Sequence, residues 1–145
     1  MKIEQMESAL CALITALDLV SKPYPQSPGN YLPDAEPGEV LVRYCGHKPL
    51  RRDLAGTIVQ KDIMFEILAV YRKLRGAEGL YEALEKISAK LEGLTPENFG
   101  GYLELLSEDF LDEYNGTWQY AQRWHFVSDN ENLQTDNYAN DNLGQ

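Results

Sequence analysis

The chain has 145 residues, 43% of them hydrophobic, which is enough for one ordinary core and too few for two comfortable domains. Its 13 basic and 23 acidic residues give a formal charge of −10, which argues against a general electrostatic hold on a nucleic-acid backbone. Cys11 and Cys45 form no CxxC pair and lie beside no histidine at ligand spacing, so each reads as a reduced, buried thiol rather than half of a disulfide.

Ile3, Met6, Leu10, Leu13, Ile14, Leu17 and Val20 recur at steps of three and four, which predicts a helix over 3–20 with one apolar face. The stretch "ALCALITAL" (9–17) within it is too short to span a bilayer, and Glu4 and Glu7 spoil the positive start of a secretion signal, so a cytoplasmic protein without membrane contact is expected. Residues 22–38, "KPYPQSPGNYLPDAEPG", hold five prolines and two glycines and read as a long loop. "EVLVRYCG" (39–46) reads as a strand, and a basic loop over 46–56 follows.

"TIVQKDIMFEILAVYRKL" (57–74) alternates, placing Val59, Lys61, Ile63, Phe65, Ile67 and Ala69 on one face and Gln60, Asp62, Met64 and Glu66 on the other, as in a long strand. Leu80, Leu84, Ile87 and Leu91 then take the positions of a second amphipathic helix, which Gly93 stops. Residues 103–126 return to strand character. Asn115-Gly116 suits a type I′ turn, so Tyr114 pairs with Thr117 and paired numbers sum to 231. That register sets Leu105, Leu111, Trp118, Tyr120, Trp124 and Phe126 on one face, with Phe110 opposite Ala121 and Glu108 opposite Arg123. The rings Trp118, Tyr120, Trp124 and Phe126 read as hairpin core rather than as a base-stacking platform, because only Arg123 lies among them. From Asp129 onward the chain is rich in Asn and Asp and aperiodic, which predicts a domain over 1–128 and a disordered tail over 129–145.

The expected fold class is therefore α+β: a mixed, mainly antiparallel sheet flanked by two amphipathic helices, closing on a C-terminal β-hairpin. No catalytic, cofactor-binding or metal-binding residues emerge. His47 and His125 are too few and too far apart to define a metal site, "SEDFLDEY" (107–114) lacks the ligand spacing and central Gly of a calcium loop, and there is no GxSxG motif or Gly-rich phosphate loop. An enzyme is not expected. The charge is uneven: residues 39–75 carry 8 basic and 4 acidic side chains, whereas 76–145 carry 3 and 14. The basic group either folds back onto the acidic hairpin of its own chain or meets that of a neighbouring copy. On the second reading the subunit interface would draw on Arg43, Lys48, Arg51 and Arg52 against Glu104, Glu108, Asp109 and Asp112.

The order of elements, with "VLVRYCG", "ILAVYRKLRG", "GLYEALEKISAKLEGL" and "FLDEYNGTWQYAQRWHF", resembles the tail-terminator or tail-completion proteins of tailed bacteriophages, especially those of Mu-like phages and related prophages. The resemblance covers residues 1–128. It implies a structural protein, six copies of which form a ring on the tail tube, end its polymerisation and meet the head-side connector. It also implies a chain that can be monomeric in isolation, assembly in the cytoplasm, and a final place in the virion tail. Its partners would be further copies of itself, the tail tube protein and the head-tail connector. The rival reading is a small acidic immunity or inhibitor protein whose negative segment plugs a basic toxin, which the concentrated basic centre does not suit.

Overall fold

A computed structural model describes residues 2–25 and 32–129. The elements are α1 (Ile3–Thr15), β1 (Ser21–Pro23), β2 (Gly38–Arg52), β3 (Ile58–Tyr71), α2 (Leu80–Leu91), β4 (Glu104–Tyr114) and β5 (Thr117–Asp129). The five strands form one sheet in the order β1-β2-β3-β5-β4. β1 runs parallel to β2 and every other pair is antiparallel, so the expected α+β class and the closing hairpin are both present.

α1 starts with the Lys2 amide donating to Gln5 Oε1 at 3.1 Å, which satisfies a donor the helix itself leaves open. It buries Met6, Leu10, Cys11 and Ile14 and stops at Thr15, five residues short of the sequence expectation. The apolar spacing continues, but Asp18 takes a positive φ of 64°, a conformation short polar side chains tolerate, and the Val20 carbonyl accepts from the Val40 amide instead of continuing the helix. That turn leads into β1, which the proline-rich reading hid. Pro23 is its last residue, on the edge of the sheet, where a missing N–H is tolerated.

β2 is longer than expected. The stretch read as a basic loop is strand as far as Arg52, and the true turn is confined to 53–57. Gly46 and Pro49 gave the loop signal. In the structure the ladder slips between Tyr44 and Gly46, where Gly46 has a φ of 114°, and slips again between Pro49 and Arg51. Among the described residues no strand lies on the outer side of β2 beyond Val42, so proline there disturbs no second ladder of theirs.

β3 lies between β2 and β5 and is buried continuously from Phe65 to Tyr71. Both helices cover the same face of the sheet. α2 buries the four expected residues Leu80, Leu84, Ile87 and Leu91, and these join Ile14, Phe65, Ile67, Trp124 and Phe126 in the main core. On the opposite face a small cluster of Leu41, Leu68, Val70 and Ala121 lies under Tyr24.

The Asn115-Gly116 turn has φ values of 52° and 75°, both positive as type I′ requires. The register sum of 231 holds only for the three pairs nearest the turn. A bulge at Leu111 sets Phe110 opposite Tyr120 rather than Ala121, and Glu108 opposite Gln122 rather than Arg123. Phe110 thereby joins the rings, 5.6 Å from Tyr120 and 6.3 Å from Trp118, while Leu111 is 43% exposed instead of on the ring face. Trp124 and Phe126 are fully buried; Trp118 and Tyr120 pack at the core margin. Cys11 is buried as expected, but Cys45 is exposed, being the extra residue of the first β2 slip. Asp129 ends β5 rather than starting the tail, and the tail beyond it lies outside the described residues.

Candidate functional site

The residues expected at a subunit interface fall in three places. Lys48, Arg51 and Arg52 occupy the far part of β2, where Gln60 is the last β3 residue to pair with β5. The turn beyond carries an entirely exposed Leu54, and Leu50 is also exposed. Glu104, Glu108, Asp109 and Asp112 lie on β4, the outer strand at the opposite edge. Through the register, Glu108 is level with Ile67 and Val42, about nine residues along β2 from Arg51, or about 30 Å. Glu108 therefore lies far from Arg51 within one chain, whereas Glu104 is level with Gly46, close to Lys48 along β2. Arg51 reaches Asp129 at 4.0 Å and Arg52 bonds the Gly56 carbonyl at 2.9 Å. Glu104 contacts His125 Nε2 at 3.3 Å, and Glu108 accepts from Gln122 at 2.8 Å.

Arg43 is different from the other three basic residues. It lies on the face away from the helices, where Glu66, 2% exposed, sits between Arg43 and Arg123. A buried carboxylate requires paired charge, and the two guanidinium groups supply it from β2 and β5. Burial works against the charge of Arg43, but Glu66 outweighs it and raises the Arg43 pKa. Arg43 also lies over the Tyr24 ring, 5.0 Å from its centre. A cleft of about 220 Å³ opens here beside Cys45 and Met64. Burial, then the Glu66 charge, pushes the Cys45 thiol up, which disfavours the thiolate a nucleophile needs.

A second cavity, about 250 Å³, opens at the end of the sheet where β2 begins and β3 ends. Asp18, Glu36, Tyr71, Glu78, Glu82 and Lys86 line it. Glu36 is tied to Arg72, and Lys86 pairs with Glu82 at 3.2 Å. Asp18 and Glu78 make no ion pair with any described residue, and both take positive φ, 64° and 63°. The Tyr71 ring lies against Gly38, where a Cβ would come within 2.5 Å of Tyr71 Cγ, so only glycine lets the ring occupy this place. Tyr71 is 2% exposed, and its hydroxyl bonds no described residue. Burial, reinforced by the Glu82 charge, raises its pKa to about 12.

A family model described as Gp37 protein matches residues 14–139. This chain belongs to the Gp37 protein family. The family is phage-associated, and the match runs past the end of β5 into the segment read as a tail. A comparison with curated proteins finds no match.

In this Gp37-family chain, sequence reasoning missed two buried polar residues. Gln122, wholly buried on the ring face, places its amide nitrogen 3.1 Å from the Leu84 carbonyl, 2.9 Å from Ser88 Oγ and 2.8 Å from Glu108 Oε1. Its carbonyl accepts from Trp124 Nε1 at 3.1 Å, so one side chain ties the hairpin to α2. Glu39, 2% exposed, accepts from the Asp34 and Ala35 amides, both at 3.0 Å, and anchors the segment leading into β2. A polar residue in phase with an apolar face was the available signal in Gln122; Glu39, the first charged residue of a strand, carried none.

Proposed function

We propose that this chain is a structural tail protein that caps the phage tail tube as an oligomeric ring, ends tube polymerisation and helps join tail to head. Membership of a phage-associated family is the observation that carries this reading. The shape is compatible with it: a rigid sheet aims a basic hairpin tip with exposed Leu50 and Leu54 in one direction and presents an acidic outer strand at the other edge. A closed head-to-tail ring needs two different, complementary surfaces on each subunit. The proposed partners are further copies of the chain, six to a ring, the tail tube protein and the head-tail connector. The proposed role is architectural rather than catalytic and involves no direct contact with nucleic acid.

The experiment is to add purified protein to tails assembled without it and to image the tube ends. The expected result is one ring per tube; protein that stays off the tubes overturns the reading. Within that assay the Arg51→Glu, Arg52→Glu double variant is expected to lose ring formation while remaining folded, and adding Glu108→Lys and Asp109→Lys to restore part of it. Full rings from the double reversal would place the interface elsewhere.

A further inference from the structure

We propose that the cleft on the open face of the sheet, between Arg43 of β2 and Arg123 of β5, receives an acidic side chain of a different protein. The register sets Arg43, Glu66 and Arg123 opposite one another on three adjacent strands, so two guanidinium groups flank one carboxylate. Two positive groups against one negative leave a net charge of +1 at the site. Both arginines are exposed while Glu66 is 2% exposed. The surplus positive charge therefore lies on the outside, where an incoming anion meets it.

The Glu66 carboxylate points to a ligand for a second reason. Its Oε1 is buried in the cleft, and Arg43 Nη2 stands 2.5 Å away without the alignment of a hydrogen bond. Arg123 approaches through Nε, 3.4 Å from Oε2, and its terminal nitrogens donate to no described residue. Buried polar atoms are ordinarily hydrogen-bonded. An oxygen left in this state beneath two guanidinium groups shows that their planar forks are not closed on the carboxylate below them. Its charge holds them in place with donors to spare. A carboxylate arriving from outside takes those donors in the bidentate geometry that arginine favours and brings the net charge of the site to zero.

The cleft measures about 220 Å³, below the roughly 300 to 1,000 Å³ of small-molecule pockets, which suits one side chain. Cys45 and Met64 supply wall for its methylene stem. The Tyr24 ring holds Arg43 by a cation–π contact at 5.0 Å, which spends none of its hydrogen-bond donors. Asp109 shares this face, being opposite Ala121, yet it makes no ion pair with Arg123, so the chain's own acidic strand does not fill the site. In the ring proposed above, that strand faces the basic tip of the neighbouring copy, which leaves the cleft to a different protein. This choice of source rests on the ring reading, whereas recognition of a carboxylate does not.

The test is a two-dimensional NMR titration of the full chain with an N-acetylated, C-amidated Ala-Glu-Ala peptide, and with Ala-Gln-Ala as a neutral isostere. The expected result is a saturable shift of the amides of Arg43, Cys45, Glu66 and Arg123 with the glutamate peptide and none with the glutamine peptide. Arg123→Met, which leaves Arg43 to pair with Glu66, is expected to weaken binding about tenfold. Arg123→Lys, which keeps the charge and loses the fork, is expected to weaken it by a smaller factor. The Arg43→Met, Glu66→Gln, Arg123→Met triple variant leaves no buried charge unpaired and is expected to fold and to lose the shift. A dilution series without peptide tests the competing occupant: shifts at the same amides that grow with protein concentration assign the cleft to a second copy and overturn the proposal while leaving the ring reading in place. Equal binding of the two peptides, no saturable shift at these amides, or an Arg123→Met variant that binds like the parent also overturns it.

Discussion

The two faces of the sheet are built from the same strands and do different work. On the helix side, Phe65, Ile67, Trp124 and Phe126 are almost completely buried beneath α1 and α2. On the other side, among the described residues, a patch around Leu41, Leu68, Val70 and Ala121 is closed, and next to it the exposed guanidinium groups of Arg43 and Arg123 flank the buried Glu66 carboxylate. Apolar burial is non-directional and dominates stability, whereas a half-exposed ion network contributes little to it and much to what can dock there. Changes on the helix side should therefore act on folding, and changes on the open side and at the strand ends on recognition.

The largest expected effect is on the helix side. Trp124→Ala should lower unfolding free energy by about 3 to 5 kcal/mol, the usual range for removing a large buried ring. Trp118→Ala, at the core margin, should cost clearly less. Chemical denaturation of the two variants measures the difference, and equal losses would break the distinction between buried and marginal rings.

Next comes Tyr71. Its folded pKa of about 12 lies above the ordinary tyrosine value near 10, so the folded state holds this proton more tightly than the unfolded chain does. Its stability contribution is complete below about pH 10 and is lost as pH rises toward 12. Tyr71→Phe should flatten that part of the stability profile, which denaturation at pH 9 through 12 would show; a profile unchanged by the substitution would mean the hydroxyl is not shielded.

The smallest effect belongs to the open face. Glu66→Gln should cost about 1 to 2 kcal/mol, because Arg43 and Arg123 are exposed enough to be rehydrated. In a background where both arginines are replaced by methionine the same substitution should become neutral or stabilising. A double-mutant cycle reads this coupling directly, and additive costs would show that Glu66 is held by something other than the two guanidinium groups.

Periodicity made most of the helix side legible. The four apolar positions of α2, the alternation of β3 and the Asn-Gly turn each follow a local rule, and each holds. What was hidden depends on neighbours in space. Gly46 and Pro49 read as a loop because their tolerance comes from a part of the β2 edge that no described strand flanks, which local sequence does not encode. The hairpin register failed beyond Asp112 because a bulge leaves no composition signal, and with it went the expected places of Leu111, Phe110 and Glu108. The charged cavity at the sheet end was hidden for the same reason: Asp18, Tyr71 and Glu78 are far apart in the chain and only the packing of α1, β3 and α2 brings them together.

The most direct test of the account is tail length in a phage or prophage lacking only this chain. Electron micrographs of the induced lysate should show tubes of variable, excessive length with bare ends and no attached heads, and supplying the chain in trans should restore uniform tails. Tails of normal length joined to heads in its absence would contradict a tail-terminating role.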